Sequence, residues 1–299
     1  MENYFLALGV FAGLYALLAL GLNVIWGLAG MINLGLAGFY AIGAYASALL
    51  ATRLHWPILP CLALGMLISA ALGALVALTT ARLRGDYLAI VTLGFAEVIR
   101  LVASNEIWLT GGTDGISGIP GPWRAQLTPL QFNLLFFLFV WIAVLLSSLL
   151  LARLSQSPFG RVLRAIREDE MVASVAGKYT LAFKLRAFAL GAAVLGLAGG
   201  LYAHFNGYVA PDSFAPIVTI YIVLALTAGG TGRMSGALVG GVLVIALMEG
   251  TRFIGAVFPD LLPAQQAALR QGVIGVALIL ALHLRPQGIL PERPRHHFS

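Results

Sequence analysis

The sequence predicts an all-α protein that threads a membrane repeatedly, on three observations. Of its 299 residues 60% are hydrophobic and only 10% charged, with a mean hydropathy of +0.93, whereas soluble domains carry about 25% charged residues. Apolar stretches near the roughly 20 residues that cross a bilayer core recur along the whole chain. The remaining charges fall mainly in the short connections between those stretches.

Taken in order, spans are expected near 4–22, 36–52, 58–80, 87–103, 130–151, 183–205, 216–231, 235–251 and 268–284. The start, MENYFLALGV, lacks a basic leader and a small-residue cleavage site, so it reads as a retained first span. The stretch 23–35, NVIWGLAGMINLG, is interrupted by glycines; it either dips into the membrane or crosses it, which makes nine to ten transmembrane helices. A long outer loop, about 104–129, contains TGGTDGISGIPGPW and shows no helical period. It reads as a docking surface, a lid or a plain linker, with Trp108 and Trp123 in the interfacial aromatic belt. Gly9 with Gly13, and Gly236 with Gly240, stand four apart, a spacing that lets helix backbones approach closely. Residues 1–299 thus form a single transmembrane domain.

Orientation follows from charge. With the segment at about 153–186 placed in the cytoplasm, thirteen of the 18 Lys and Arg residues fall on that side, against Arg53, Arg124 and Arg270 on the other. Basic residues favour cytoplasmic loops. The same placement argues against nucleic acid as the partner of the +6 net charge, because no exposed domain carries the basic residues.

Catalytic and metal-binding patterns are not found. Cys61 is the single cysteine, which excludes an intrachain disulfide and a cysteine-based metal cluster. The histidines are scattered at 55, 204, 283, 296 and 297, and GGTGRMSG lacks the lysine of a phosphate-binding loop. No metal or cofactor is expected. The spans also lack the series of buried carboxylates that a proton-driven pump needs; their acids, Glu97 and Glu249, each have an arginine three residues on, Arg100 and Arg252, and read as structural charge pairs. Two glycine-broken pieces, Gly27 to Gly35 and Gly229 to Gly236, occupy loosely corresponding places in the two halves. Such breaks point to the pathway in transporters, and Asn23, Asn33 and Thr227 are candidate polar contacts along it. This is the build of a transporter without its own energy source.

The cytoplasmic segment holds the longest charged stretch, GRVLRAIREDEMVASVAGKYTLAFKLRAF. A single helix is expected from Pro158 to a stop at Gly177, with Phe159, Val162, Leu163, Ile166, Met171 and Val175 apolar and Arg161, Arg164, Arg167 and Glu168 on other faces. A helix lying on anionic lipid has a nearly all-basic polar face. The run Glu168-Asp169-Glu170 instead favours docking in a groove of a soluble partner.

This segment and its following span, RAIREDE…AGKYTLAFKLRAFALGAAVLGLAGGLYAH, closely resemble the LivM-type permeases of branched-chain amino acid ABC importers. LNVIWGLAGMINLGLAGFYAIGAYASALL (22–50), LRGDYLAIVTLGFAEVIRLV (83–102), LTGGTDGISGIP (109–120) and GYVAPDSF (207–214) extend the resemblance over most of the chain, in order. The resemblance implies an ABC importer permease fold in the bacterial inner membrane, surrounded by lipid. It implies a second related permease, two cytoplasmic ATPase subunits that carry the ATP hydrolysis, and a periplasmic substrate-binding protein. It also implies that Arg164, Arg167, Glu168, Asp169, Glu170 and Gly177 couple the chain to an ATPase. One departure stands: the general pattern of such permeases has Glu six residues before Gly177, where this chain has Met171, with Glu170 one place earlier. The same machinery importing another small solute (urea, a short amide, an aromatic acid) is the alternative, and an ion-coupled secondary transporter a more distant one.

Overall fold

The computed structural model describes residues 2–80, 83, 85–251, 263–284 and 288–290. A helix covers each expected span: α1 (Glu2–Leu22), α2 (Leu36–Arg53), α3 (Ile58–Thr79), α4 (Asp86–Asn105), α6 (Pro129–Gln156), α9 (Thr180–Asn206), α10 (Pro216–Gly229), α11 (Met234–Gly250) and α12 (Pro263–Leu284). Among the described residues six stretches are long and apolar enough to cross a membrane: Glu2–Leu28, Ile58–Thr79, Asp86–Asn105, Pro129–Gln156, Thr180–Asn206 and Pro211–Gly229. The chain is therefore an all-α, multi-pass membrane protein.

The stretch 23–35 is not a separate span. Residues Asn23–Leu28 prolong α1 as a π-helical stretch, and the chain then turns at Gly30, whose φ of +71° suits glycine. It returns without helical structure alongside α4, where the Leu34 N–H donates to Thr92 Oγ1 at 3.0 Å, and α2 begins at Leu36.

The centre of the bundle is α2, α3 and α9 packed backbone to backbone. A Cβ on Gly43 would fall on the backbone of Gly196, and one on Gly65 would lie 3.0 Å from the Gly43 carbonyl oxygen. Around this centre α1 meets α6 where Gly9 and Gly13 admit Phe137 and Val140, and α10 meets α11 at Gly229, Gly236 and Gly240, as the four-residue spacing predicts. Trp141 Nε1 donates to the Gly9 carbonyl at 3.1 Å and locks the α1–α6 contact.

The outer loop is more ordered than its composition predicts. It contains a helical turn, α5 (Ile107–Thr110), and a short strand, β1 (Ile116–Ser117), paired antiparallel with β2 (Tyr208–Val209) after α9. Arg53 at the end of α2 donates to the carbonyls of Trp108 and Leu109, and the Tyr208 hydroxyl donates to Asp114 O. On the other side of the loop, His204 Nδ1 donates to Pro120 O at 2.7 Å, which leaves Nε2 to accept from Ser47 Oγ at 2.9 Å.

The segment expected as one helix is two. α7 (Pro158–Glu168) ends at Asp169, whose backbone is extended and whose carboxylate accepts from the N–H groups of Met171 and Val172 to start α8 (Glu170–Val175). An Asp at this position is among the strongest N-caps, and it outweighs continuation of the helix.

Because the α2–α9 contact leaves no room for a methyl group, Gly43→Ala is expected to destabilise the folded chain by about 1–3 kcal/mol, the usual cost of overpacking. Gly272→Ala, which would meet nothing within 4 Å, is the control. Thermal unfolding in detergent checks both; equal midpoints would contradict the close-packed centre.

Candidate functional site

Two groups of residues carry candidate function: the charged segment around α7 and α8 and the polar side chains inside the bundle. In α7, Leu163 and Ile166 are buried and Phe159 stacks on Phe183 of α9 with ring centroids 5.5 Å apart. Each such buried side chain contributes about 1.5–3 kcal/mol of apolar burial, so α7 is fixed to the spans. α8 does the reverse. Its Met171, Val172 and Val175 are exposed, as is Tyr179 beyond it. The apolar residues expected on one face thus divide between an inward α7 and an outward α8.

Most of the predicted coupling residues are occupied within the chain. Arg164 donates to Ser155 O at 2.9 Å and so ties α7 to the end of α6. Arg167 donates to the Gly27 carbonyl in the π-helical stretch, and its side chain lies over Gly30. Asp169 caps α8. Glu170 pairs with Lys184 of α9 at 2.6 Å and accepts from Thr180 Oγ1. Gly177 closes α8 with φ +78°, its N–H donating to Ser174 O while the Lys178 N–H donates to Ala173 O. That pair of bonds is the Schellman stop expected of a C′ glycine. Of the six, Glu168 and Asp169 lie exposed on a cleft of about 490 Å³ between α7 and α8, with Arg161, Val162, Ala165, Val172 and Lys178; the Asp169 carboxylate is already used as the α8 cap. The sequence reading missed Val172, Tyr179 and Lys178; the exposed apolar side chains of α8 become visible only once the helix is known to break.

Inside the bundle the two glycine-broken pieces meet. Asn23 Oδ1 accepts from the Gly232 N–H at 2.8 Å, and Asn23 Nδ2 approaches Met234 Sδ at 3.5 Å. Asn33 Oδ1 accepts from the Gly35 N–H, while its buried Nδ2 has no partner. Thr227 donates back to carbonyls of its own helix, and residues 288–290 lie against this end of α10, with Ile289 N–H donating to Ala228 O. None of these three side chains lines the cavity of about 310 Å³ that opens among α1, α2, α9, α10 and α11. That cavity is lined by Tyr15, Tyr40, Tyr202, Ser213 and Glu249 with apolar neighbours. Tyrosines inside apolar spans, away from the interfacial belt where they usually sit, are the signal that had been available for it.

Glu97 and Arg100 form the expected pair through two hydrogen bonds, Arg100 Nε donating to Glu97 Oε2 at 3.0 Å and Nη2 to Oε1. Arg100 also approaches Asp212 at 4.0 Å. The pair is not buried: 35% of the Glu97 side chain and 25% of Arg100 remain exposed. The expected partner of Glu249, Arg252, lies outside the described residues.

A multi-pass helical bundle with glycine-broken helices, and a helical segment on its basic side, defines a membrane permease. The model of the family described as "Branched-chain amino acid transport system / permease component" matches residues 4–282, and the chain belongs to that family. It is 35% identical over 305 residues to the high-affinity branched-chain amino acid transport system permease protein LivM of Salmonella typhimurium, covering 94% of this chain and 69% of the relative. A probable LivM of Methanocaldococcus jannaschii is 27% identical, covering 94% and 92%, and LivH of Escherichia coli 27%, covering 92% and 91%. No solved structure matches the chain.

Glu97→Gln leaves the Arg100 guanidinium without its main partner. A loss of about 0.5–1 kcal/mol is expected, the upper range for a partly exposed helix pair. The double substitution Glu97→Gln/Arg100→Gln also removes the unpaired guanidinium and should cost less than the sum of the two singles. Unfolding midpoints of the two singles and the double decide this; a double variant that costs the full sum would contradict a structural pairing.

Proposed function

We propose that the chain is a translocating subunit of an ATP-driven importer for branched-chain and other hydrophobic amino acids in the bacterial inner membrane. A second, related permease completes the pathway, two cytoplasmic ATPase subunits supply the energy, and a periplasmic binding protein delivers the substrate. The chain 1–299 acts as one domain of nine to ten spans, with the coupling segment at 153–186 and the outer loop at 104–129. Its family membership supports the transport role, and the names of its LivM, LivH and BraD relatives support the substrate class.

The observation that carries the coupling role is the two-sided build of α7 and α8. α7 is bonded through Arg167 to the break after α1 and through Arg164 to α6. α8 and the cleft beside it offer apolar side chains, with Arg161, Glu168 and Lys178 around them, to a partner. An ATPase subunit seated on α8 would move α7, and α7 would move the backbone at Gly27 and Gly30 together with it. In this reading Glu168 contacts the ATPase, while Arg164, Arg167, Asp169, Glu170 and Gly177 hold the segment in shape. Charges around such a groove set register and rate of docking more than affinity.

Two sets of variants test this in the reconstituted complex. Glu170→Arg should lower uptake and substrate-stimulated ATP hydrolysis together, and the charge-swapped pair Glu170→Lys/Lys184→Glu should restore both in large part; failure of the swap to restore either would show that Glu170 does more than pair with Lys184. A Cβ at Gly177 meets nothing within 4 Å, so only its left-handed backbone restricts substitution. Gly177→Asn should therefore keep near-normal uptake, while Gly177→Val, strained by about 1–3 kcal/mol, loses it. Equal activity of the two variants would count against α8 as a docking element.

A further inference from the structure

α4 carries an acid and a base that the bundle covers only in part. Its buried residues Leu88, Ala89, Thr92, Ala96 and Ala103 form one face, turned towards α2, where Gly35 meets Thr92 and Gly38 meets Ala96. At about 100° per residue, Gly94 stands opposite that face, and a Cβ there would meet nothing within 4 Å. Ile90, Val98 and Leu101 surround it, all exposed. Glu97 flanks the same surface as the twelfth of 20 residues of the helix. At a rise of about 1.5 Å per residue it lies near the middle of a hydrocarbon core about 30 Å thick.

α6 offers the comparison, an outward surface without charge across most of its length. Its exposed Leu134, Leu138, Ile142, Leu145, Leu149 and Leu150 are all aliphatic, and its first charge is Arg153, at the cytoplasmic end. Ionised side chains inside a membrane face protein or water, because hydrocarbon solvates them poorly. The outward surface of α4 therefore has a different neighbour from that of α6.

We propose that the Gly94–Glu97 surface of α4 lines the aqueous passage of a small zwitterion, at the seam with the second permease. This rests on the importer reading above. Glu97 and Arg100 are joined by two hydrogen bonds, keep donors and acceptors in reserve, and present adjacent negative and positive charge to the passage. That suits a solute with one ammonium, one carboxylate and no net charge: each end meets a complementary group, and neither is held firmly. Asp212, 98% exposed and 4.0 Å from Arg100, continues the polar track towards the outer side.

The single native cysteine makes the test direct. In a Cys61→Ala background, Gly94→Cys and Leu101→Cys are compared with Leu138→Cys on α6, in proteoliposomes holding the assembled transporter. The probes are a charged, membrane-impermeant methanethiosulfonate and a lipid-soluble maleimide. The α4 cysteines are expected to react with the charged reagent about tenfold faster than Leu138→Cys, at rates that change between the nucleotide-free and the ATP–vanadate-trapped states. Reaction with the lipid-soluble reagent alone would place this surface against lipid and overturn the proposal. So would no reaction with either reagent, which marks a dry protein seam, or charged-reagent rates identical in both nucleotide states, which mark a static crevice. The labelling needs no substrate. A parent transporter without ATP-driven uptake would instead count against the importer reading and leave the contrast between α4 and α6 standing.

Discussion

The bond from Arg167 to the Gly27 carbonyl is where the cytoplasmic segment meets the membrane-embedded chain, and much of the surrounding architecture accommodates it. Gly30 turns the backbone with positive φ, and a Cβ there would lie 2.8 Å from Arg167 Cγ. Non-helical backbone survives at membrane depth only when protein or a lined cavity satisfies its polar groups. Here the partners can be named: Arg167 for the Gly27 carbonyl, Asn23 for the Gly232 N–H, Thr92 for Leu34, Asn33 for Gly35 and Thr219 for Ala37. Arg167, Thr92 and Thr219 come from distant places in the sequence, so α7, α4 and α10 hold the break together with the local Asn33 contact. π-helical stretches occur often at functional sites, and this one touches both the cytoplasmic helix and the second glycine-broken piece.

The rest of the bundle divides into a tightly packed part and a mobile-capable part by the same logic. α2, α3 and α9 approach at Gly43, Gly65 and Gly196 too closely to slide independently. α8, by contrast, is joined to the firmly packed α7 through a single extended residue, Asp169, and the Glu170–Lys184 pair ties its start to α9.

Local features were legible in the sequence. Span positions follow from length and hydropathy, the Glu97–Arg100 pair from i,i+3 spacing, the α1–α6 and α10–α11 contacts from glycines four apart, and the left-handed Gly177 from its place after a helix. What was not legible depends on distant partners. The outer loop acquires a strand because Ile116 pairs with Val209, far along the chain. The bond between Asn23 and the Gly232 N–H joins residues far apart in the chain, and the tyrosine-lined cavity exists only because several helices converge. The break at Asp169 is a different case: a strong N-cap stood inside a run of charges that the helical period alone passed over.

The most direct measurement is the number of substrate molecules imported per ATP hydrolysed by the reconstituted complex carrying Arg167→Ala. If the Arg167–Gly27 contact carries ATPase movement into the break after α1, that ratio should fall roughly tenfold, within the range typical of coupling between sites, while hydrolysis itself persists. An unchanged ratio, with uptake and hydrolysis both near the parent level, would contradict it.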